Sequence, residues 1–183
     1  NFDLFLPEKF DGIVTVGQPI RISKQCIGLA THSGIPSSVV SRNGKVPVVW
    51  AEATDPDQRV SGVPTFVATC DRATRALGEV ALVAYGPPAN DIHNSPSITI
   101  DGPGYLHVLA GTHGHPFPYP RSRKPNDAGG GWTEAETTGK QLRQTYIGLV
   151  CDPDNTLHAV FRLWRSGLEP FPISQHGTLA YQR

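Results

Sequence analysis

The chain has 183 residues, enough for one domain with a sizeable core. Its 16 basic and 16 acidic residues cancel, so no charged surface for nucleic acid or membrane is expected. With only 17% charged residues, 19 Gly and 17 Pro, the composition excludes a coiled coil or helical bundle and calls for many turns.

Strand signals follow one another along the chain. Residues 37–53, SSVVSRNGKVPVVWAEA, read as strand, an Arg-Asn-Gly turn at 42–44, and strand, since an Asn-Gly pair between apolar runs is a hairpin cue. Residues 64–86 repeat the plan with a longer connection. Residues 95–111, SPSITIDGPGYLHVLAG, give strand, an Asp-Gly turn and strand. The polar, Pro- and Gly-rich segment 118–144 reads as a long surface loop, where binding residues often lie. Residues 145–165 form another hairpin around Asp-Pro-Asp-Asn, and 177–183 read as a last strand.

The turns near 43, 102 and 154 recur at roughly 50 to 60 residues, about one four-stranded propeller blade. A sandwich would show turns every ~8 to 12 residues without that longer period. The expectation is an all-β fold: a β-propeller in one partial domain over 1–183, with blade-like units at roughly 30–86, 87–140 and 141–183. At ~50 residues per blade the chain makes about three to four blades, at or below the minimum for ring closure. The chain is therefore expected to be a piece of a larger propeller that supplies the missing blades, in keeping with the absence of Met at position 1.

No apolar run is long enough for a transmembrane helix and no signal peptide opens the chain. Cys26, Cys70 and Cys151 match no zinc-ribbon spacing and read as small buried hydrophobes.

Four of the seven histidines fall between 93 and 115. If 95–100 and 105–110 pair antiparallel, His93 and His113 reach the same end of the ladder. His107 alternates with Leu106 and Val108 and reads as exposed or hydrogen-bonded within the sheet; His158, in the equivalent place of TLHAV, shares that structural reading. By the same ladder logic Tyr146 and Arg162 meet at one end of the next hairpin. His113 and His115 form an H-x-H pair that suits zinc, but two ligands are not a site. No G-x-S-x-G elbow and no nucleotide-binding glycine motif occurs.

A Tyr/His/His/Arg cluster suits β-elimination from a uronic acid. The proton removed lies α to a carboxylate and is barely acidic until that charge is neutralised, a task for the guanidinium fork. A neutral imidazole takes the proton, and a phenol donates to the departing glycosidic oxygen or acts as the base if its pKa is lowered.

HNSPSITIDGPGYLHVLAGTH followed by PYPRS, then TYIGLVCDPDNTLHAVFR, resembles the BNR-repeat-type propeller family that contains the ulvan lyases. The likeness covers about residues 60 to 183 and is clearest from 90 to 166. It implies a seven-bladed β-propeller that cleaves sulfated, uronate-containing polysaccharide by β-elimination. His93 would be the base, Tyr146 the acid or a partner in the base role, and His113 and Arg162 the groups that neutralise the carboxylate. Arg121, Tyr119, His115 and Trp132 are candidates for binding the acidic polysaccharide. No cofactor is expected; any structural metal would lie outside this segment. The substrate class implies a secreted or periplasmic protein, and this segment alone is expected to be weakly active or inactive. Two rivals remain. One is a non-catalytic carbohydrate-binding propeller using Trp132 and Trp164 as platforms. The other is a sialidase-like hydrolase, disfavoured because no Asp box and no carboxylate pair accompany the histidines.

Overall fold

The computed structural model describes residues 1–28, 37–54, 62–87, 90–111, 113–139, 143–163 and 178–183. Every regular element among them is a strand: β1 (Phe2–Phe10), β2 (Ile13–Ser23), β3 (Lys45–Ala51), β4 (Pro64–Asp71), β5 (Ala81–Tyr85), β6 (Ser97–Ile100), β7 (Leu106–Leu109), β8 (His113–His115), β9 (Phe117–Tyr119), β10 (Glu136–Thr138), β11 (Gln144–Cys151), β12 (Leu157–Leu163) and β13 (Thr178–Gln182). Trp164 lies outside the described residues.

Residues 2–23, to which the sequence analysis assigns no element, form the β1–β2 hairpin around Asp11 and Gly12, both at positive φ. The Arg-Asn-Gly cue folds as a two-residue turn with Asn43 at φ 50° and Gly44 at φ 72°. Arg42 and Lys45 exchange backbone bonds of 2.9 Å across it, and a turn of that hand matches strand twist. The leg before the turn then runs beside β3, with Val49 N–H donating to the Ser38 carbonyl at 2.9 Å. Beyond it, β3, β4 and β5 pair antiparallel in order.

The segment 118–144 departs from the loop expected for it. It completes β9 and carries β10, which pair with each other. Prolines misled the sequence reading there, because Pro118 and Pro120 lend the ladder what it needs. Their carbonyls accept the amides of Ala110 (3.0 Å) and Val108 (3.1 Å), and proline lacks only a donor. The second sheet therefore runs β6-β7-β9-β10. The third runs β8-β11-β12-β13.

Alternation along each strand feeds two cores. Val46, Val48 and Trp50 of β3 pack against Leu4, Leu6 and Ile22 of the first hairpin. Val49 and Val67 face the other way, onto Ile98, Leu106 and Val108. Leu109 and Phe117 in turn meet Ile147, Leu149 and Phe161. The β1–β2 hairpin and these three sheets, β3-β4-β5 being the first, are thus stacked face to face like successive propeller blades, with three cores between them. Among the described residues the sheets stay separate and open, with no strand pairing between the first and the last.

The leading segments of neighbouring sheets lie side by side. Ile98 N–H donates to the Ser37 carbonyl at 2.8 Å, and Leu149 N–H donates to Ser97 Oγ at 3.3 Å. The turns gather at one end of the stack, where the Arg42 guanidinium donates to the Asp101 carbonyl and Asn155 Oδ1 accepts Gly102 N–H at 2.6 Å. The opposite end collects the segment before β6, the segment after β7, the start of β11 and the end of β12. All three cysteines are free thiols, raised above the ordinary value by burial first of all and so kept inert.

Candidate functional site

His93 sits in the loop that enters β6, and that loop is braced. Asn90 Oδ1 accepts Thr54 N–H at 2.7 Å, and Ser95 Oγ donates to the Ile92 carbonyl at 2.6 Å. Between these ties, Asp91 Oδ1 accepts the backbone N–H of His93 at 2.8 Å and is bonded to its ring Nδ1 as well. An Asp that folds back onto the amide two residues on is a turn device. Here the same oxygen also holds the imidazole. Sequence reasoning passed over Asp91, although the D-x-H spacing in NDIHN was the available signal.

Tyr146 is held by an irregularity in β11. Thr145 faces Arg162 and Gly148 faces Val160, so β11 spends one more residue than β12 between those pairs. The extra length falls at Tyr146, which adopts φ 58°. A bulky residue in the left-handed region costs about 1–3 kcal/mol and persists only where its surroundings demand it. Such bulges re-aim side chains. The Tyr146 ring ends 5.2 Å from the His93 ring, centroid to centroid, and tilted by 43°. The Arg162 guanidinium carbon lies 4.3 Å from the same ring's centroid. Three of the four residues singled out for catalysis are therefore brought together, although they come from two sheets.

The fourth, His113, is placed by its backbone. β8 pairs with the start of β11, His113 opposite Thr145 and exposed His115 opposite Gln144, with Gly114 as an extra residue between. That bulge interrupts the simple alternation assumed for an H-x-H pair. Among the described residues no group of three or more His, Cys, Asp or Glu side chains is placed to hold a metal ion.

Other candidates for contacting substrate lie elsewhere. Ser122 N–H donates to the Leu106 carbonyl and Ser122 bridges Trp132, so Trp132 sits level with the turn end of β7. At the usual strand rise that is about 16 Å from Gly111 and the His93 end. The Trp132 indole N–H donates to the Ala128 carbonyl at 2.8 Å, and the ring packs on the core. The Arg121 guanidinium stacks on Tyr105 at 4.0 Å and approaches Asp101 at 3.8 Å. Tyr119 bonds His107 Nδ1 at 2.6 Å, while His107 Nε2 lies 3.1 Å from Asp101 Oδ2.

That Asp–His–Tyr set recurs. His158 Nδ1 bonds Tyr181 at 2.6 Å and its Nε2 bonds Asp152 Oδ2 at 2.8 Å. In both sets the Asp also caps its own turn through Oδ1. His107 and His158 are thus sheet staples, as their matching positions led one to expect. An apolar cavity of about 170 Å³, lined by Leu109, Phe117, Leu149 and Phe161 among others, lies between the second and third sheets and includes no residue of the rim cluster.

The family described as BNR repeat-containing family members matches residues 66–175, more than half of the chain. Two solved structures of a PL25 polysaccharide lyase, an ulvan lyase, share the fold. One is bound to -[GlcA(1-4)Rha3S]-, at TM-score 0.54 and 15% identity; the other is at TM-score 0.54 and 16% identity. Each alignment covers 75% of this chain and 33% of the lyase, so the chain spans about a third of the length of those enzymes. No curated protein matches the sequence.

Proposed function

The chain belongs to the BNR repeat-containing family, and on that premise we propose that it is part of a polysaccharide lyase that cleaves an acidic, uronate-containing polysaccharide by β-elimination. The observation that carries the proposal is the Tyr146 ring, with His93 5.2 Å away and the Arg162 guanidinium at 4.3 Å. Fold likeness to ulvan lyases supports the substrate class.

In this reading Arg162 forks onto the uronate carboxylate and offsets its charge, which makes the adjacent C–H acidic enough to lose. His93 takes that proton. The carbon–oxygen bond to the next sugar breaks as the carbon–carbon double bond forms, and the departing oxygen receives a proton from Tyr146. His113, opposite Thr145 on β8, assists with the carboxylate. A polymeric substrate places the enzyme outside the cytoplasm, secreted or periplasmic.

The test is product absorbance, since only elimination leaves a conjugated unsaturated uronate. In the intact protein that contains these residues, His93→Ala and Tyr146→Phe are each expected to lower the rate by about 10²-fold or more, the usual worth of a positioned proton-transfer group. Circular dichroism should be unchanged. Full activity in both variants defeats the proposal.

A further inference from the structure

Among the described residues there are three Asp–His–Tyr groupings, and their histidine nitrogens are used in different ways. In the two sheet staples the carboxylate holds Nε2 and the phenol holds Nδ1, so both ring nitrogens serve the fold. At His93 the carboxylate is on Nδ1 instead, and the tyrosine meets the imidazole ring against ring. A neutral imidazole has one N–H and one lone pair, and an acceptor on one nitrogen decides which is which. An ionised carboxylate only accepts, so Nδ1 must be the protonated nitrogen and Nε2 the basic one.

We infer that Asp91 is a positioning residue: its carboxylate holds the His93 imidazole in the Nδ1–H tautomer, and so makes Nε2 the atom that takes the substrate proton. The inference rests on the lyase reading for its second half only. Asp91 is suited to the task because it is itself immobilised. Its Oδ1 accepts the His93 amide, its carbonyl accepts Asn94 N–H at 3.0 Å, and Asn90 beside it is tied to Thr54. As His93 gains a proton during the reaction, the same carboxylate faces the developing imidazolium charge, as in other carboxylate–histidine pairs.

Two measurements on the intact protein decide it. With ¹⁵N-labelled histidine, long-range ¹H–¹⁵N correlation reads the tautomer of each ring directly. His93 is expected in the Nδ1–H form, opposite to His107 and His158, and Asp91→Ala should shift it toward Nε2–H. In steady-state assays Asp91→Ala should lower kcat by about 10²-fold with KM within about twofold, since Asp91 serves the base and not the sugar. Asp91→Asn keeps an oxygen for the His93 amide, and with it the turn, and serves if the Ala variant folds poorly. A residue needed only for the turn would leave kcat intact in Asp91→Asn, whereas loss of the charge should lower it. An Nε2–H tautomer in the unmodified protein, or a tautomer and kcat unmoved by both substitutions, overturns the inference. Absence of any unsaturated product from the unmodified protein would sink the lyase reading and leave the tautomer experiment to decide the placement of Asp91 by itself.

Discussion

His107 is 6% exposed, and burial pushes its imidazole below the ordinary value, a shift that its bond to Asp101 opposes. Burial also works against ionisation of Asp101, yet the bonds from His107 and the Tyr105 and Gly104 amides hold that carboxyl below the usual range. Both shifts act on stability in the same direction. A folded value below the unfolded one means that the unfolded chain binds more protons, so stability is complete above the unfolded value and is lost as pH falls. The loss begins through 6.5 for His107 and continues below 3.8 for Asp101. Thermal melts should therefore show a falling Tm from about pH 7 to about pH 5. His107→Asn should cost about 1–3 kcal/mol at the higher pH, by stranding two partners, and should flatten the slope below it. At this scale the sequence was readable in part. The His107–His158 equivalence followed from spacing; for Asp91 and His93 the D-x-H spacing permits the bond, but one side chain's rotamer decides it.

Within the elements, backbone conformation decides where side chains go. The Asn43–Gly44 turn was plain in the sequence because an Asn-Gly dipeptide does one local job. The bulge at Tyr146 was not, since it reflects how β11 must meet β12 on one side and β8 on the other. Two glycines separate local from tertiary demands. Gly44, at φ 72°, has open space where a Cβ would stand. Gly111, at φ 59°, would set a Cβ 2.8 Å from the Gly86 Cα, where the end of β7 crosses the end of β5 beside Asn94. Gly44→Ala should cost only the left-handed strain, about 1–2 kcal/mol. Gly111→Ala adds a backbone collision to similar strain and should cost clearly more, and it should disturb the His93 loop. Urea unfolding compares the two; equal costs would contradict the close approach. β9 teaches the converse lesson, that prolines can sit in a ladder which asks only for their carbonyls.

Over the whole molecule, each sheet relies on its neighbour. The His107–Tyr119 staple lies on a face that the third sheet covers, while the corresponding face of the third sheet leaves Tyr181 60% and Leu179 77% exposed. At the other end of the stack Val14 and Val16 of β2 are exposed as well. Contiguous apolar faces of this kind drive association in water. These 183 residues taken alone should therefore self-associate with rising concentration and bind a hydrophobic dye. Leu179→Lys together with Val160→Lys should weaken both effects. Sedimentation velocity reads the outcome, and a dye-negative monomer at every concentration would count against exposed blade faces.

The order of residues was by itself enough to determine the all-β class, the recurring hairpins and the ends of strands at which His93, Tyr146 and Arg162 appear. Those properties are local: turn chemistry, alternation and spacing act within a few residues of one another. Only the tertiary structure decided that the ring of Tyr146 turns toward His93, that Arg162 stacks on it, that Asp91 takes Nδ1, that Arg121 and Tyr119 are engaged by Tyr105 and His107, and that Trp132 is held about a strand's length away. Each of those depends on sheets packing over one another and on bulges that reconcile two neighbours at once, and no short stretch of sequence carries that information.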